Sequence, residues 1–414
     1  MKEKSNFRKF MLLWTGELVS SVGGGLTSFG LGIYVFNMTG SAASMALVTL
    51  LAFLPTLLLS APAGVLADRY DRRVLMMLGD GLSAIGMIYI LACIVWSDAK
   101  LYQICIGVFI SSVFSSLLEP SYRATVTDLL TKEEYSKANG MVNIAGSARY
   151  LLSPVIAGGL LAISDIKLLL VIDISTFILT VITTGIVKKG LETKLIKQTE
   201  SFMDSFKEGW SAIRARKGVF LLIMVSSIIT CFMGVMQVLS EPLILSFTDS
   251  KTLGIAETTC ACGMLVASVV LGMAGIKKNY VKLLSASLFI AGIAMIGFSL
   301  MENMIIICSF GFMFFAMLPL ANNCLDYLVR TNIPDELQGR AWGLIGFISQ
   351  IGYVVAYGFA GIAADKMSKS MHISVGRGAA AVIVISGVLL AVTAVSIICI
   401  GRIRVLEIVR ENDV

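Results

Sequence analysis

Long apolar stretches alternate with short charged segments along the whole chain. A helix needs about 20 mostly apolar residues to cross a hydrocarbon core of roughly 30 Å. Twelve stretches of this kind follow one another, and we number them spans 1 to 12. We predict them near residues 10–36, 43–67, 74–96, 101–122, 138–163, 166–187, 218–247, 254–276, 280–301, 304–329, 341–365 and 378–401.

The composition excludes a soluble protein. Of the 414 residues, 57% are hydrophobic and only 14% are charged, which leaves too little polar surface to face water on all sides. We therefore predict an all-α integral membrane protein embedded in a lipid bilayer. Span 1 lacks the short apolar core and small-residue cleavage site of a signal peptide, so we expect it to be retained.

Lysine and arginine accumulate on alternate sides of the spans. If the N-terminus is inside, six of the 33 basic residues fall in outward loops, one lies within a span, and the others are inward. Basic residues prefer the cytoplasmic side of short loops. We expect both termini to be cytoplasmic, in a bacterial cytoplasmic membrane. The net charge of +6 follows from this loop pattern and indicates no nucleic-acid partner.

The chain repeats weakly at an offset of 203 residues, close to half its length. Lys137-Ala-Asn-Gly-Met141 then overlies Arg340-Ala-Trp-Gly-Leu344, and Ala157-Gly158 overlies Ala360-Gly361. Each match opens or lines the fifth span of a set of six. We predict two six-helix bundles, at 1–187 and 218–414, with chance similarity between apolar segments as the alternative.

The one long polar segment, 188–217, lies between these halves and is predicted to be a cytoplasmic linker. Four apolar residues in it recur at helical spacing: Phe202, Phe206, Trp210 and Ile213. This pattern favours an amphipathic helix on the membrane face over a plain solvated linker.

The turn between spans 2 and 3 concentrates charge in the segment "GVLADRYDRR", residues 64–73. Its arginines alone could reflect the preference for positive charge inside. That preference does not explain why Gly64 and Asp68 stand at a fixed spacing before them. The turn must reverse the chain and hold charges where a neighbouring helix end can pair with them.

This segment resembles the signature loop of the major facilitator superfamily. The matching residues are Gly64, Asp68, Arg69, Arg72 and Arg73. Asp71 stands where that family usually has glycine, and aspartate tolerates left-handed backbone better than most residues. The resemblance implies the major facilitator fold, with a gating latch between helices at this loop.

Span 5 carries "SPVIAGG", with Pro154, Gly158 and Gly159, similar to the glycine-proline signature of the superfamily's antiporters. Small residues allow close helix approach and proline allows a bend. The segments "LLTKEEYSKANG" and "FKEGWSAIRARKG" resemble the bacterial branch of macrolide-efflux and siderophore-export proteins. An arginine in the middle of span 4, typical of some relatives, is absent, and Arg123 lies at the inner end instead.

Ionised groups within the spans are candidates for coupling, because a charge in the hydrocarbon core costs about 3 kcal/mol even on lenient scales. The candidates are Glu17, Arg149, Asp173 and Glu241. In the resembling family helices 1, 5 and 7 line the cavity and helix 6 is peripheral, which places Asp173 behind the others. Glu17 and Arg149 could meet, either as a switching pair or as a permanent structural one.

Other charges have structural interpretations. Glu119 with Arg123, and Asp326 with Arg330, are pairs four residues apart at helix ends. Asp80 and Asp128 are possible partners for the loop arginines. Glu241 can also be explained as a group that approaches the outer headgroups.

An enzyme is disfavoured, because the chain has one histidine and no HExxH-type metal site or P-loop. We expect no cofactor or metal, a proton gradient as the energy source, and a monomer. The function predicted is proton-coupled efflux of an amphiphilic, macrolide-like molecule. The alternatives are export of a siderophore or lipid, an uncoupled facilitator, and a channel or scramblase.

Overall fold

The computed structural model describes residues 6–96, 99–131, 133–189, 210–211, 217–276, 278–333, 335–401, 403 and 407. These residues form helices and no strand. Twelve of the stretches they form are long and apolar enough to cross a membrane. The predicted all-α membrane fold is confirmed.

The helices that form the spans follow the predicted order, with two of the spans divided in two. Their bounds are Phe7–Thr39, Ala42–Arg69, Arg72–Trp96, Leu101–Ser115 with Leu118–Leu129, Tyr135–Leu151 with Ser153–Leu161, Ile166–Lys188, Lys217–Leu245, Ser250–Ala274, Tyr280–Leu300, Met304–Arg330, Asp335–Met371 and Val375–Cys399.

Several helices extend past the apolar stretch because local chemistry sets their ends. Span 1 runs to Thr39 and stops at Gly40, whose φ of 60° is the left-handed conformation that favours glycine. Span 6 begins at a cap in which Asp165 accepts a hydrogen bond from the backbone N–H of Lys167 over 3.1 Å. Hydropathy therefore locates the spans, and capping residues decide where the helices end.

Spans 4 and 5 are each interrupted, and proline explains both breaks. Pro120 and Pro154 lie in the first turn of the second helix of their spans. A proline ring collides with the carbonyl four residues earlier and supplies no N–H, so it disfavours a regular preceding turn. The interruptions fall at Ser116–Leu117, within the turn before Pro120, and at Leu152, two residues before Pro154.

The chain divides into two compact units. Unit 1 comprises 1–40, 47–198 and 250–255, and unit 2 comprises 41–46, 199–249 and 256–414. The proposed six-span boundaries at 187 and 218 stay a prediction. The predicted amphipathic linker helix lies outside the described residues, apart from Trp210 and Ser211.

The packing inside the two units follows one scheme. In unit 1, span 1 contacts spans 5 and 6, and span 3 contacts spans 4 and 6. In unit 2, span 7 contacts spans 11 and 12, and span 9 contacts spans 10 and 12. Each contact recurs six spans later, so the same arrangement of helices is built twice.

One end of unit 1, the end at which span 1 begins, is held by an apolar core; we call it the near end. Phe10 and Leu13 of span 1 are buried there with Met76 of span 3 and Tyr122 of span 4. Buried apolar side chains of this size each contribute roughly 1.5–3 kcal/mol relative to exposure in water. The charged loop after span 2 therefore lies next to a well-packed apolar core.

Candidate functional site

The signature loop reverses the chain with two residues outside the helices, Tyr70 and Asp71. The Asp71 carboxylate accepts a hydrogen bond from the backbone N–H of Arg73 over 3.0 Å and so caps span 3. Among the described non-glycine residues, only Asn279 and His372 have a positive φ. The explanation from left-handed backbone at Asp71 is therefore wrong, and helix capping replaces it.

Arg72 joins the end of span 2 to the end of span 4. Its guanidinium lies 2.7 Å from Asp128 and 3.8 Å from Asp68. It also donates to the backbone carbonyls of Ala67, over 3.1 Å, and Ala124, over 3.2 Å. The last four carbonyls of a helix lack intrahelical partners, and Arg72 satisfies that of Ala67 and opposes the dipole of span 2.

The other loop positions that match the signature differ in their surroundings. Arg73 is almost fully buried, with its Nη2 atom 3.7 Å from Asp128. Arg69 is exposed. Gly64 is half-buried with open space where a Cβ atom would stand, so close packing does not demand glycine there. The loop partner Asp128 is confirmed, whereas no ion pair joins Asp80 to the loop arginines in the described residues.

The span 5 motif is a site of close backbone contact. A Cβ atom on Gly158 would lie 2.5 Å from the carbonyl oxygen of Ser250, and one on Gly254 would collide with the carbonyl of Pro154. Gly159 faces open space. Pro154 and Gly158 thus let span 5 touch the first turn of span 8, which belongs to unit 1, and Gly159 takes no part in this contact.

Arg149 does not pair with Glu17. Its Nη2 atom donates to the hydroxyl of Ser28 over 3.1 Å, and its stem lies against Gly25. Eleven residues of span 1 separate Glu17 from Ser28, about 16 Å at 1.5 Å per residue. Glu17 instead lies close to the end of unit 1 that we call the near end, where Glu119 is a charged neighbour. The structure does not bring the two predicted coupling residues together.

Asp173 occupies the place beside Arg149 that was expected for Glu17. The guanidinium of Arg149 acts electrostatically on the Asp173 carboxyl. Asp173 is 1% exposed, and neither its Oδ1 atom nor the nearby Thr27 hydroxyl has a hydrogen-bond partner in the described residues. Span 6 turns Asp173 toward span 1, so the structure makes it a coupling candidate alongside the others, and the ranking of the candidates stays a prediction.

In unit 2, Glu241 of span 7 has a second carboxyl as its charged neighbour, that of Glu257 on span 8. Sequence reasoning missed Glu257, although it is an acidic residue inside an apolar stretch and that signal was available. The Oε2 atom of Glu241 is buried without a hydrogen-bond partner in the described chain. One turn earlier, Gln237 accepts a 2.5 Å hydrogen bond from Tyr357 of span 11.

Unit 2 also contains a carboxylate that caps a helix from outside. Asp365 of span 11 accepts hydrogen bonds from the hydroxyl of Ser41 and from the backbone N–H groups of Ala42 and Ala43, over 2.5, 3.0 and 3.2 Å. Gly361 lies directly against the same turn. A carboxylate at a helix N-terminus satisfies unpaired N–H groups and opposes the dipole.

Groups of three or more histidine, cysteine, aspartate or glutamate side chains that could hold a metal ion do not occur in the searched part of the chain. The pair Glu119 and Arg123 forms the expected contact four residues apart, at 2.9 Å, on an exposed surface. Such exposed pairs contribute little to stability. The buried charges of the spans are therefore the candidates for function.

Comparison with known proteins fits this architecture. The family model of the Major Facilitator Superfamily matches residues 13–357. The chain is 25% identical to macrolide efflux protein A of Streptococcus pyogenes over 382 residues, which cover 89% of this chain and 92% of that protein. It is 23% identical to the staphyloferrin A transporter of Staphylococcus aureus over 305 residues, 71% of each chain.

A solved structure agrees in fold. The bacterial homologue of the human lysosomal transporter Spinster, in an inward-facing and unoccupied conformation, superposes with a TM-score of 0.73 at 14% identity. The match covers 96% of this chain and 97% of that one. With a family match that spans most of its length, the chain belongs to the Major Facilitator Superfamily.

Proposed function

We propose that this chain is a secondary active transporter that exports an amphiphilic, macrolide-like molecule in exchange for protons. Both termini face the cytoplasm of a bacterial cell in this proposal. Similarity to a macrolide efflux protein over nearly nine-tenths of the chain supports the substrate class and the direction. The chain acts as a monomer, without a cofactor.

The single observation that carries the proton coupling is the burial of Asp173 beside Arg149. A carboxyl group inside a membrane-spanning bundle is costly unless it is neutralised or paired. Gaining and losing a proton would change its attraction for Arg149, and that change can favour one conformation over another. A transporter needs such a link to draw work from a proton gradient.

Alternating access also requires contacts that form in one conformation and break in another. In this proposal the charged contacts of the signature loop have that role. In this proposal the Arg72 contacts to spans 2 and 4 hold one end-state and are weakened in the other. Ligands and protons can only shift such an equilibrium by their difference in affinity for the two states. The loop charges therefore set how readily the states exchange.

The test uses purified protein in lipid vesicles with an imposed pH difference and a labelled macrolide. Exchange of substrate against protons predicts accumulation against the substrate gradient, and this accumulation should stop when an ionophore collapses the pH difference. Equilibration without accumulation would indicate an uncoupled facilitator. Movement of a lipid reporter without substrate would indicate a scramblase.

Export of a siderophore is the second candidate, because the staphyloferrin A transporter matches 71% of the chain. The two candidates separate in a drug-sensitive host that lacks its own efflux pumps. Expression of the chain should lower accumulation of labelled macrolides and leave secretion of a carboxylate siderophore unchanged. The reverse result favours the siderophore exporter.

A further inference from the structure

Span 6 carries a buried line of polar side chains that we call the span 6 stripe: Asp173, Thr176, Thr180 and Thr183. Steps of three, four and three residues place them on one helix face. None is more than 8% exposed. Polar groups inside a membrane-spanning bundle are expensive, and a continuous line of them has no role in simple apolar packing.

Span 1 covers this stripe with its smallest residues. A Cβ atom on Gly16 would lie 2.7 Å from the Thr183 hydroxyl, and one on Gly23 would lie 2.6 Å from the Thr176 hydroxyl and 3.2 Å from Asp173. Gly16 and Gly23 are seven residues apart on span 1, and the residues they face, Thr183 and Thr176, are seven residues apart in the opposite direction on span 6. A larger residue at either glycine would displace the polar atoms.

This register places Ser20 between the two contacts. Ser20 is buried and lies midway between Gly16 and Gly23, opposite the stretch between Thr176 and Thr180. The two threonine hydroxyls are one helical turn apart, about 5–6 Å, which is too far for a direct hydrogen bond. From this register we infer that the Ser20 hydroxyl lies in that gap.

Span 3 adds a second carboxyl at the stripe. Asp80 is 2% exposed and lies within hydrogen-bonding reach of the Thr180 hydroxyl. The charge of Asp173 also acts on the Asp80 carboxyl. The stripe therefore begins at one buried carboxyl and passes another about 10 Å away along the helix, at 1.5 Å per residue.

The charged groups that face these two carboxyls come from three neighbouring spans. Arg149 of span 5 faces Asp173. Glu17 of span 1 faces Asp80, and Glu17 in turn faces Glu119 of span 4. No cation forms an ion pair with Asp80 or Asp173 among the described residues.

Each threonine hydroxyl currently donates to its own helix. Thr176 donates to the carbonyl of Asp173 over 2.7 Å, and Thr180 donates to that of Phe177 over 2.9 Å. A hydroxyl has one proton to give and two lone pairs to accept with, so each of these hydroxyls can still accept a hydrogen bond. Rotation of the hydroxyl allows it to accept one proton and release another.

We propose that Asp173 and Asp80 exchange a proton through the hydroxyls of Thr176, Ser20 and Thr180, inside unit 1. The O–H bond of the Asp173 carboxyl breaks as its proton joins the first hydroxyl oxygen. Each hydroxyl passes its own proton onward, and the last one forms an O–H bond on the Asp80 carboxylate. One proton leaves, one arrives, and the hydroxyls end as they began.

This inference deepens the proposed proton coupling and rests on it for its biological use. Arg149 lies at the Asp173 end of the path and Glu17 at the Asp80 end, so the path connects the mid-span charge to the near end of unit 1. Asp173 and Asp80 are the proton-carrying residues in this scheme. The hydroxyls relay the proton between them and set the rate.

The first test needs no transported substrate. Infrared difference spectra of the wild-type protein in lipid vesicles, recorded after a pH jump, follow the C=O stretch of protonated carboxyl groups. Asp173→Asn and Asp80→Asn should each remove one contribution. The double variant Thr176→Val with Thr180→Val should keep both contributions and slow the appearance of one roughly tenfold or more.

Two controls make the result specific to the path. Thr176→Ser with Thr180→Ser restores the hydroxyls and should restore the wild-type rate. Ser175→Ala removes an exposed hydroxyl from the same span and should change nothing. If the valine variant does not fold, Ser20→Ala tests the same step. Wild-type rates in the variants that lack these hydroxyls would overturn the proposal.

Transport measurements separate this inference from the proposed function. If the wild-type protein accumulates macrolide under a pH difference and the valine variant does so at the same rate, the path is wrong and the efflux function stands. If no compound is accumulated but the infrared rates change as expected, the path stands and the proposed substrate or coupling is wrong.

Discussion

Arg149 donates its hydrogen bond to Ser28, well away from the carboxylate of Glu17. The two charged groups expected to meet are therefore held at different depths of span 1. Arg149 is fixed beside Asp173, and Glu17 belongs to the near end. Whether Glu17 and Arg149 form a permanent ion pair can therefore be tested by measuring the free energy of unfolding of single and double variants.

We expect the effects of Glu17→Gln and Arg149→Gln on the free energy of unfolding to add within about 0.5 kcal/mol, because distant sites without shared partners act independently. The matched control is Arg72→Gln with Asp128→Asn, whose side chains touch at 2.7 Å. That pair should show a coupling free energy of about 1 kcal/mol. Unfolding in mixed micelles measures both cycles, and strong coupling of Glu17 to Arg149 would contradict the structure.

Glu17→Gln keeps its own transport prediction. Glu17 faces Asp80 at the end of the proposed proton path, and Gln cannot bind and release a proton there. The variant should therefore lose accumulation driven by a pH difference and retain folding and exchange between equal compartments. Vesicle transport with and without the pH difference measures both. Continued uphill accumulation would remove Glu17 as the coupling site and leave Asp173 and Glu241 as the candidates.

For the signature loop, we expect substitutions to affect the transport rate and the stability of the protein differently. Asp68→Asn should reduce turnover while expression and substrate affinity stay near wild type, because a conformational step is affected. Its effect on stability should be smaller than that of Asp128→Asn, since Arg72 lies 3.8 Å from Asp68 and 2.7 Å from Asp128. Both carboxylates are about one-third exposed, so neither ion pair should exceed about 1 kcal/mol. Equal turnover in Asp68→Asn and wild type would reduce the loop to a topology signal.

Span 5 offers a matched glycine pair. Gly158→Ala places a methyl group against the backbone of Ser250 and should destabilise the protein by about 1–3 kcal/mol, the usual range for overpacking. Gly159→Ala meets open space and should leave stability and transport unchanged or slightly improved. Thermal unfolding of the two variants checks this, and equal behaviour would show that the contact with span 8 is dispensable.

Asp71 is expected to act through its cap. Asp71→Ala should cost about 1 kcal/mol of stability, Asp71→Asn should retain most of the hydrogen bond, and Asp71→Gly should cost only a few tenths. Asp165→Ala, which removes the corresponding cap of span 6, serves as the positive control. A neutral Asp71→Ala variant would show that the hydrogen bond to Arg73 is not needed to begin span 3.

The sequence was sufficient for the spans because hydrocarbon thickness dictates their length whatever their partners. It was also sufficient for Asp128, whose position near a helix end leaves few other cations within reach. The breaks at Ser116–Leu117 and Leu152 lie two to four residues before Pro120 and Pro154, so these prolines pointed to both regions. Pro55 and Pro62, however, lie inside an uninterrupted helix, so proline alone does not decide.

The surroundings of Asp173 could not be predicted for a different reason. The resemblance placed span 6 at the periphery of the bundle, and the direction in which a helix face points depends on which neighbours it packs against. The spacing of Asp173 with Thr176, Thr180 and Thr183 already marked one polar face. Only the glycines of span 1, lying against it, show that this face is interior.

The cap made by Asp71 changes how relatives of this chain should be searched for. A sequence signature that requires glycine at this position covers only one way to begin span 3. It excludes chains in which a side chain accepts a hydrogen bond from the same backbone amide. Patterns that accept aspartate, asparagine or serine here should recover transporters that glycine-based patterns overlook. In this chain the position supplies a hydrogen-bond acceptor for the backbone N–H of Arg73, which several other residues could also provide.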